Sequence, residues 1–240
     1  LAVLALSDDL SFAYMRHVAV RDVIEVRSQE GFGATALFVL FGVAPEPVAA
    51  SAEPDWTVPR YAIIPTHNRP ARLLALVVSL GSQCDRIVVL DNASDPPVDW
   101  SQLAAAALPA VVEVIPDPEQ PPHLSRFWNV MFNFVEAHAR ASGYETWDVA
   151  AFNDDAIVPA GWFDVCSTAL REHDTAVVAH TGSIPIHRAE LVASVAYPRE
   201  KRMCPWAFVT RGEGGLRADE DLVWWYGDDD IVKQARALGG

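Results

Sequence analysis

The pattern of hydrophobic and polar positions changes once along the chain, and the change divides it into two parts. Within residues 1–45, hydrophobic and polar positions alternate at 23–27, and an uninterrupted apolar run follows a glycine-containing turn at 36–43. Both patterns predict short β-strands. Residues 46–59 are rich in Pro, Ala and acidic side chains, which is typical of a linker. We therefore expect a small N-terminal β-rich segment, a linker and a main domain at 60–240.

In the main domain, short apolar runs alternate with longer helical patterns. The runs predict strands at 61–65, 86–90, 111–115 and 147–152, and the longer patterns predict helices at 71–80, 100–108, 123–141 and 231–238. Strands that are apolar on both faces and separated by helices predict a mainly parallel sheet covered by helices on both faces, an α/β fold. Ligands of such sheets bind at the carboxyl ends of the strands, so the residues there are the candidates for chemistry.

The amino-acid composition argues against some classes of function but says little about the fold. The 240 residues include 32 acidic and 18 basic side chains, a net charge of −14, which argues against broad nucleic-acid binding. The longest apolar stretch, 34–44, is about half of the ~20 residues that cross a bilayer, so no transmembrane span is expected. Three well-separated cysteines suggest a reducing compartment, and we expect a cytoplasmic location.

Polar side chains follow the first two predicted strands of the main domain. The first strand ends in a run that could hold a nucleotide or could be a polar loop before the next helix: Pro65, Thr66, His67, Asn68 and Arg69. The second ends at Asp91, whose carboxylate could accept from a ribose hydroxyl or a base N–H, or could form a turn. Each segment taken alone fits the structural role better.

The fourth predicted strand of this domain ends in Asn153, Asp154 and Asp155. Adjacent carboxylates after a buried strand cost free energy unless something offsets their charge. Mg²⁺ and Mn²⁺ prefer such oxygen ligands, so the segment is either a metal site or an Asp-rich turn, and the two readings weigh about equally.

A second acidic run lies near the C-terminus. Asp228 and Asp229 precede a predicted helix, where carboxylates favour the helix dipole or where one could act as a general base toward an acceptor hydroxyl. The preceding Trp224, Trp225 and Tyr226 could form an apolar platform for a sugar ring or could pack in the core.

Taken in order, the segments of the main domain resemble the glycosyltransferase family 2-like group, which has the nucleotide-diphospho-sugar transferase (GT-A) fold. The resemblance covers about residues 60–236, and it rests on the segments 63–69, 87–94, 125–129, 152–155, 182–190 and 217–230. The segment 152–155 is similar to the metal-binding DxD segment of the family, although Asn153 stands in place of the first Asp.

The resemblance implies a metal-dependent, inverting transfer of a sugar from a nucleotide-diphosphate donor to an acceptor hydroxyl. Asp154 and Asp155 would bind Mn²⁺ or Mg²⁺, Asp228 or Asp229 would be the base, and Trp224, Trp225 and Tyr226 would hold the acceptor, whose identity stays open. The implied nucleotide-binding residues are Pro65, Thr66, His67, Asn68, Arg69, Asp91, Arg126, Asn129 and Asp154.

Two other functions remain open at this point. A nucleotidyltransferase or pyrophosphorylase could use a related α/β sheet, but it would need a Gly-rich loop after the first strand, and residues 65–70 contain no glycine. A non-catalytic protein that binds sugar nucleotides is the other alternative, because Asn153 departs from the family pattern.

Overall fold

The computed structural model describes residues 2–5, 22–26, 36–41, 58–173, 178–180, 190–191, 207–223 and 227–239. The chain divides into two compact units, Leu1–Asp55 and Trp56–Gly240. The unit boundary falls inside the stretch 46–59, which the sequence marks as a linker.

The first unit contains a three-stranded antiparallel sheet. Its strands are β1 (Ala2–Ala5), β2 (Asp22–Val26) and β3 (Ala36–Phe41), and β3 lies between the other two. Ala2 faces Phe41 and Asp22 faces Leu40 across the two ladders. The described residues of the N-terminal segment thus all belong to β-strands.

The second unit contains seven strands and five α-helices among the residues that the structure describes. The strands are β4 (Arg60–Thr66), β5 (Arg86–Asp91), β6 (Val111–Pro116), β7 (Asp148–Phe152), β8 (Val178–His180), β9 (Glu190–Leu191) and β10 (Ala207–Arg211). The helices are α1 (Pro70–Leu80), α2 (Trp100–Ala106), α3 (Leu124–Ala141), α4 (Trp162–Glu172) and α5 (Gly227–Gly239). A short 3-10 helix, Gly212–Gly214, follows β10.

The seven strands form one mixed sheet in the order β6-β5-β4-β7-β10-β8-β9. The first four are parallel, and the last three join them through antiparallel pairs. The α/β class predicted from the sequence is confirmed. The sheet is less parallel than expected, because β8, β9 and β10 extend it in the antiparallel sense.

Apolar side chains on the two faces of the strands build two separate cores. Along β4, Ala62 and Ile64 pack toward α1, α2 and α4, whereas Tyr61 and Ile63 pack toward α3 and α5. Alternate residues of a strand point to opposite faces, so a strand between two helical layers must be apolar throughout. Each such side chain contributes about 1.5–3 kcal/mol when it is fully buried.

The strand order reverses at β4. The chain runs outward from β4 through β5 to β6, then crosses through α3 on the other face and returns beside β4 as β7. The carboxyl ends of β4 and β7 therefore flank a switch point, where α/β sheets leave a crevice.

Two helix starts lie at this carboxyl edge. Pro70 occupies the first turn of α1, where its missing N–H costs nothing. At the start of α3, the His123 ring accepts from the Arg126 N–H.

None of the helices in the described part of the chain combines the length and apolar character that crossing a membrane requires.

Candidate functional site

The clearest meeting of predicted site residues is at the switch point between β4 and β7. Thr66 ends β4, and its hydroxyl donates to Asp154 Oδ2 at 2.9 Å. Arg69, just before α1, donates to Asp154 Oδ1 at 3.0 Å. Only 8% of the Asp154 side chain is exposed. The hydroxyl and the guanidinium offset the cost of burying this carboxylate, because each of its oxygens accepts a hydrogen bond.

Asp155 is the more open of the two carboxylates, with 39% of its side chain exposed. Its Oδ2 accepts a hydrogen bond from Arg72 Nη1 at 3.2 Å and lies 3.4 Å from Arg69 Nη1. Both guanidinium side chains are more than half exposed, Arg69 at 51% and Arg72 at 62%. Exposed ion pairs contribute about 0–1 kcal/mol, so these contacts exchange at little cost.

The donor set at this edge fits a hard divalent cation. Mg²⁺ sites commonly use one or two carboxylates and complete the shell with water and substrate phosphates. Asp155 supplies an accessible carboxylate, and Asp154 supplies a second whose oxygens retain lone pairs beyond their present bonds. Within the described ranges, no group of three or more His, Cys, Asp or Glu side chains converges. A cation here would therefore depend on ligands from its substrate.

The loop after β4 is tied to the loop after β5. His67 Nδ1 lies 2.5 Å from the Asn92 carbonyl oxygen, so Nδ1 carries the hydrogen, and Nε2 accepts from the Asn68 amide at 3.0 Å. The Asn68 N–H donates to Ser94 Oγ at 2.9 Å, and its Oδ1 accepts from the Asp95 N–H at 2.7 Å. Asn68 adopts the left-handed conformation, with φ 54°. These polar groups brace the two loops against each other.

Asp91 forms the turn that its sequence context also allowed. Its Oδ1 accepts from the Ser94 N–H at 3.1 Å and its Oδ2 from the Val98 N–H at 2.9 Å. The carboxylate is buried at the end of β5 and shapes the loop that follows.

Arg126, in the first turn of α3, holds the end of β6. Its guanidinium pairs with Asp117 at 2.5 Å and with Glu119 at 3.0 Å. The Asn92 amide donates to the backbone carbonyls of the same two residues, at 3.1 and 2.9 Å. The two acidic residues were not singled out in the sequence, and each of them pairs with the Arg126 guanidinium.

Asn129 binds the segment that leads to α5. Its amide donates to the Ala218 carbonyl at 2.9 Å and to Glu220 at 2.8 Å, while its Oδ1 accepts from the Ala218 N–H at 2.8 Å. One turn earlier, the Ser125 hydroxyl donates to the Leu222 carbonyl at 2.5 Å. The start of α3 thus fixes residues 218–222 rather than presenting free amide groups.

The start of α5 lies against α3. Gly227 is buried there, and a Cβ on it would lie 3.2 Å from Ser125 Oγ and 3.3 Å from the Trp128 ring, so the close approach favours glycine. Asp230 accepts from the Asp219 N–H at 3.1 Å and from Gln234 at 2.6 Å.

The predicted base and platform are described only in part. Asp229 is half-buried and has no hydrogen bond or ion pair with the described residues, which leaves its carboxylate available. Asp228 belongs to the first turn of α5, but its side chain lies outside the described residues. The platform residues Trp224, Trp225 and Tyr226 also lie outside them.

A cluster of buried and half-buried charged side chains lies at the opposite, amino edge of the sheet. Burial raises the pKa of Asp148, at the start of β7, although Arg171 and Ser167 oppose the rise. Burial acts on the pKa of Glu213 in the same direction, but the bonds from Arg171 outweigh it and the pKa is lowered. Arg171 donates to both carboxylates at 2.5 Å, so this cluster joins α4, β7 and the segment after β10.

Arg72 is a further residue at the carboxyl edge that was not predicted from the sequence as part of the site. It lies in the first turn of α1, three residues after Arg69, and residues three apart on a helix share a face. This spacing was visible in the sequence. The pairing with Asp155, however, depends on β7 lying beside β4, and that adjacency is set by the long crossover through α3.

Comparisons with known proteins give no family. The chain matches no protein-family model, and a search of curated proteins returned no match. The likeness to the glycosyltransferase family 2-like group therefore rests on the ordered motifs of the sequence alone.

Proposed function

We propose that this protein is a metal-dependent glycosyltransferase that moves a sugar from a nucleotide-diphosphate donor to an acceptor hydroxyl with inversion. The observation that carries the proposal is the convergence of Thr66, Arg69, Asp154 and Asp155 at the β4/β7 switch point. A crevice with two carboxylates and two arginines suits a diphosphate together with its counter-cation. The GT-A version of the α/β fold is part of this proposal.

On the donor side, Asp155 is the principal cation ligand and Asp154 the second. A divalent ion held there would bind the diphosphate and offset the negative charge of the departing nucleotide. When no cation is bound, Thr66 and Arg69 each donate to one oxygen of the Asp154 carboxylate. The ends of β4 and β5, with Pro65 and Asp91, and the braced loop that contains His67 and Asn68 form the wall for the nucleotide.

On the acceptor side, Asp229 or Asp228 accepts the proton from the attacking hydroxyl. A carboxylate without a hydrogen-bond or ion-pair partner is free to accept such a proton, and Asp229 has none among the described residues. Arg126 and Asn129 contribute by fixing the surrounding segments. Arg126 pairs with Asp117 and Glu119, and the Asn129 amide bonds to Ala218 and Glu220. Trp224, Trp225 and Tyr226 are assigned to the acceptor from the sequence alone.

The first test is ligand-dependent thermal stability. A panel of nucleoside diphosphates is screened with and without Mn²⁺, and the proposal predicts that at least one diphosphate raises Tm only when Mn²⁺ is present. At a ligand concentration of 100 Kd the native state gains about 2.7 kcal/mol, or roughly 5–10 °C for a chain of this size. Asp155→Asn is expected to abolish the Mn²⁺-dependent part of this shift.

The matched control is Glu145→Gln, which removes one exposed carboxylate between α3 and β7 and should keep the full shift. A shift that is equal with Mn²⁺ and with EDTA would show that the diphosphate site does not need the cation. An unchanged shift in Asp155→Asn would place the cation elsewhere.

A further inference from the structure

We propose that Arg72, with Arg69, is an exchangeable counter-cation of Asp155 and a ligand for the donor diphosphate. In this arrangement the two guanidiniums neutralise the acidic pair when no cation is bound, and they move to the diphosphate when a cation takes the carboxylates. This inference rests on the proposed function, and it adds a donor-binding role for Arg72 that the sequence motifs do not contain.

The geometry shows two cations sharing one carboxylate oxygen. Arg69 and Arg72 both reach Asp155 Oδ2, at 3.4 and 3.2 Å. Neither distance is as short as the 2.7–2.9 Å of a strong charge-assisted bond. Two guanidiniums at one oxygen repel each other. Arg69 also contacts Asp154 at 3.0 Å, so Arg72 is the more weakly held of the two.

The charges nearby favour an exchange. Two carboxylates and two guanidiniums sum to zero, and a divalent cation on the carboxylates would make the cluster positive. Like charges repel, so the guanidiniums would be displaced toward any neighbouring anion. A diphosphate bound to that cation is such an anion, and arginine recognises phosphate oxygens through paired N–H donors.

The local structure of α1 leaves room for this movement. Arg72 lies on the first helical turn, with 62% of its side chain exposed. That turn contains no acidic side chain, and no side chain caps the helix start. A guanidinium released from Asp155 would therefore not be recaptured by a carboxylate of its own turn, and the positive end of the helix dipole also favours an anion beside it.

The experiment measures two affinities on the intact chain. Binding of Mn²⁺ alone is followed by electron paramagnetic resonance, and binding of inorganic pyrophosphate in saturating Mn²⁺ is followed by calorimetry. Arg72→Gln is expected to bind Mn²⁺ about two- to fivefold more tightly, because one competing exposed cation is gone. The same variant is expected to bind pyrophosphate about fivefold or more weakly, because a charge-assisted donor is lost.

Two further variants separate an exchange from a general structural effect. Arg72→Lys keeps the charge and should retain Mn²⁺ affinity within about twofold of the wild type, while binding pyrophosphate less well than arginine does. Arg140→Gln removes a guanidinium of similar exposure, 64%, that pairs with Glu136 at the far end of α3. It should leave both affinities unchanged.

Opposite changes in the two affinities of Arg72→Gln support the exchange. Equal Mn²⁺ affinities in wild type and Arg72→Gln, or two affinities that change in the same direction, overturn the exchange and leave the proposed function standing. Failure of Mn²⁺ to bind either protein overturns both the exchange and the metal-dependent function.

Discussion

Asn129 is a polar residue near the carboxyl edge of the sheet whose side-chain amide is used in hydrogen bonds to backbone groups. Its amide matches both the N–H and the C=O of Ala218, as another peptide group would, and it also reaches Glu220. The side chain is buried, so these partners have no easy access to water. Removal of this side chain should therefore lower the free energy of unfolding.

Replacing Asn129 by Ala is expected to lower the free energy of unfolding by about 1–3 kcal/mol, because the Ala218 N–H and C=O lose their partners. Urea unfolding followed by circular dichroism measures the change. Gln102→Ala, at an exposed position of α2 where the side-chain amide makes no hydrogen bond with the described residues, is the matched control and should change stability by less than about 0.5 kcal/mol. Equal losses in the two variants would mean that the Ala218 contact carries no stability.

At the scale of elements, α3 is the connection that makes the site possible. Its first turn fixes residues 218–222, and its last turn lies beside the start of β4, where His138 Nδ1 lies 3.0 Å from the Tyr61 hydroxyl. Burial raises the pKa of Tyr61 to about 12, so this hydroxyl is protonated and can donate to the histidine ring. Burial, with a contribution from Arg86, lowers the pKa of His138.

The lowered pKa of His138 predicts a dependence of stability on pH. The unfolded chain takes up the proton more readily than the native protein, so the contribution is complete above the unfolded pKa of about 6.5 and is lost as the pH falls through that value toward the folded pKa. Urea unfolding at pH 7.5 and 5.5 should show a smaller loss in His138→Gln than in the wild type. His173→Gln, at an exposed position, should keep the wild-type loss, and a His138→Gln loss as large as that of the wild type would contradict the assignment.

The sequence predicted the elements that have a local signal. Apolar runs marked β4 through β7, and Pro70 marked the start of α1. The antiparallel half of the sheet was not predicted. β8 and β9 contain only three and two residues, and β10, with five, pairs with β7 and β8 far from it in the sequence. Their pairing is decided by distant partners rather than by their own pattern.

The candidate site, too, was predicted only where the sequence carries a local signal. Strand-end residues such as Thr66 and Asp154 could be expected near one edge of the sheet, and they do lie in hydrogen-bond contact. Local spacing did not reveal which polar groups would be used within the protein. Asp91 and Asn129 bind backbone groups. Arg72 reaches Asp155 because β4 and β7 are neighbours across a long crossover.

At the scale of the whole molecule, the proposed function requires an acidic chain to bind an acidic donor. With a net charge of −14, the protein repels a nucleotide diphosphate at long range, so local positive charge has to overcome that field. Arg69, Arg72 and a divalent cation at the β4/β7 switch point would supply it. The proposed function therefore depends on this edge of the second unit.

The most direct measurement is release of nucleoside diphosphate from a panel of nucleotide sugars, with Mn²⁺ or with EDTA. The account predicts turnover that needs Mn²⁺ and that falls at least about 10²-fold in Asp155→Asn and in whichever of Asp228→Asn and Asp229→Asn removes the base. Glu145→Gln should keep the wild-type rate. Full turnover in EDTA or in Asp155→Asn, or no release from any donor despite Mn²⁺-dependent binding of diphosphate, would contradict it.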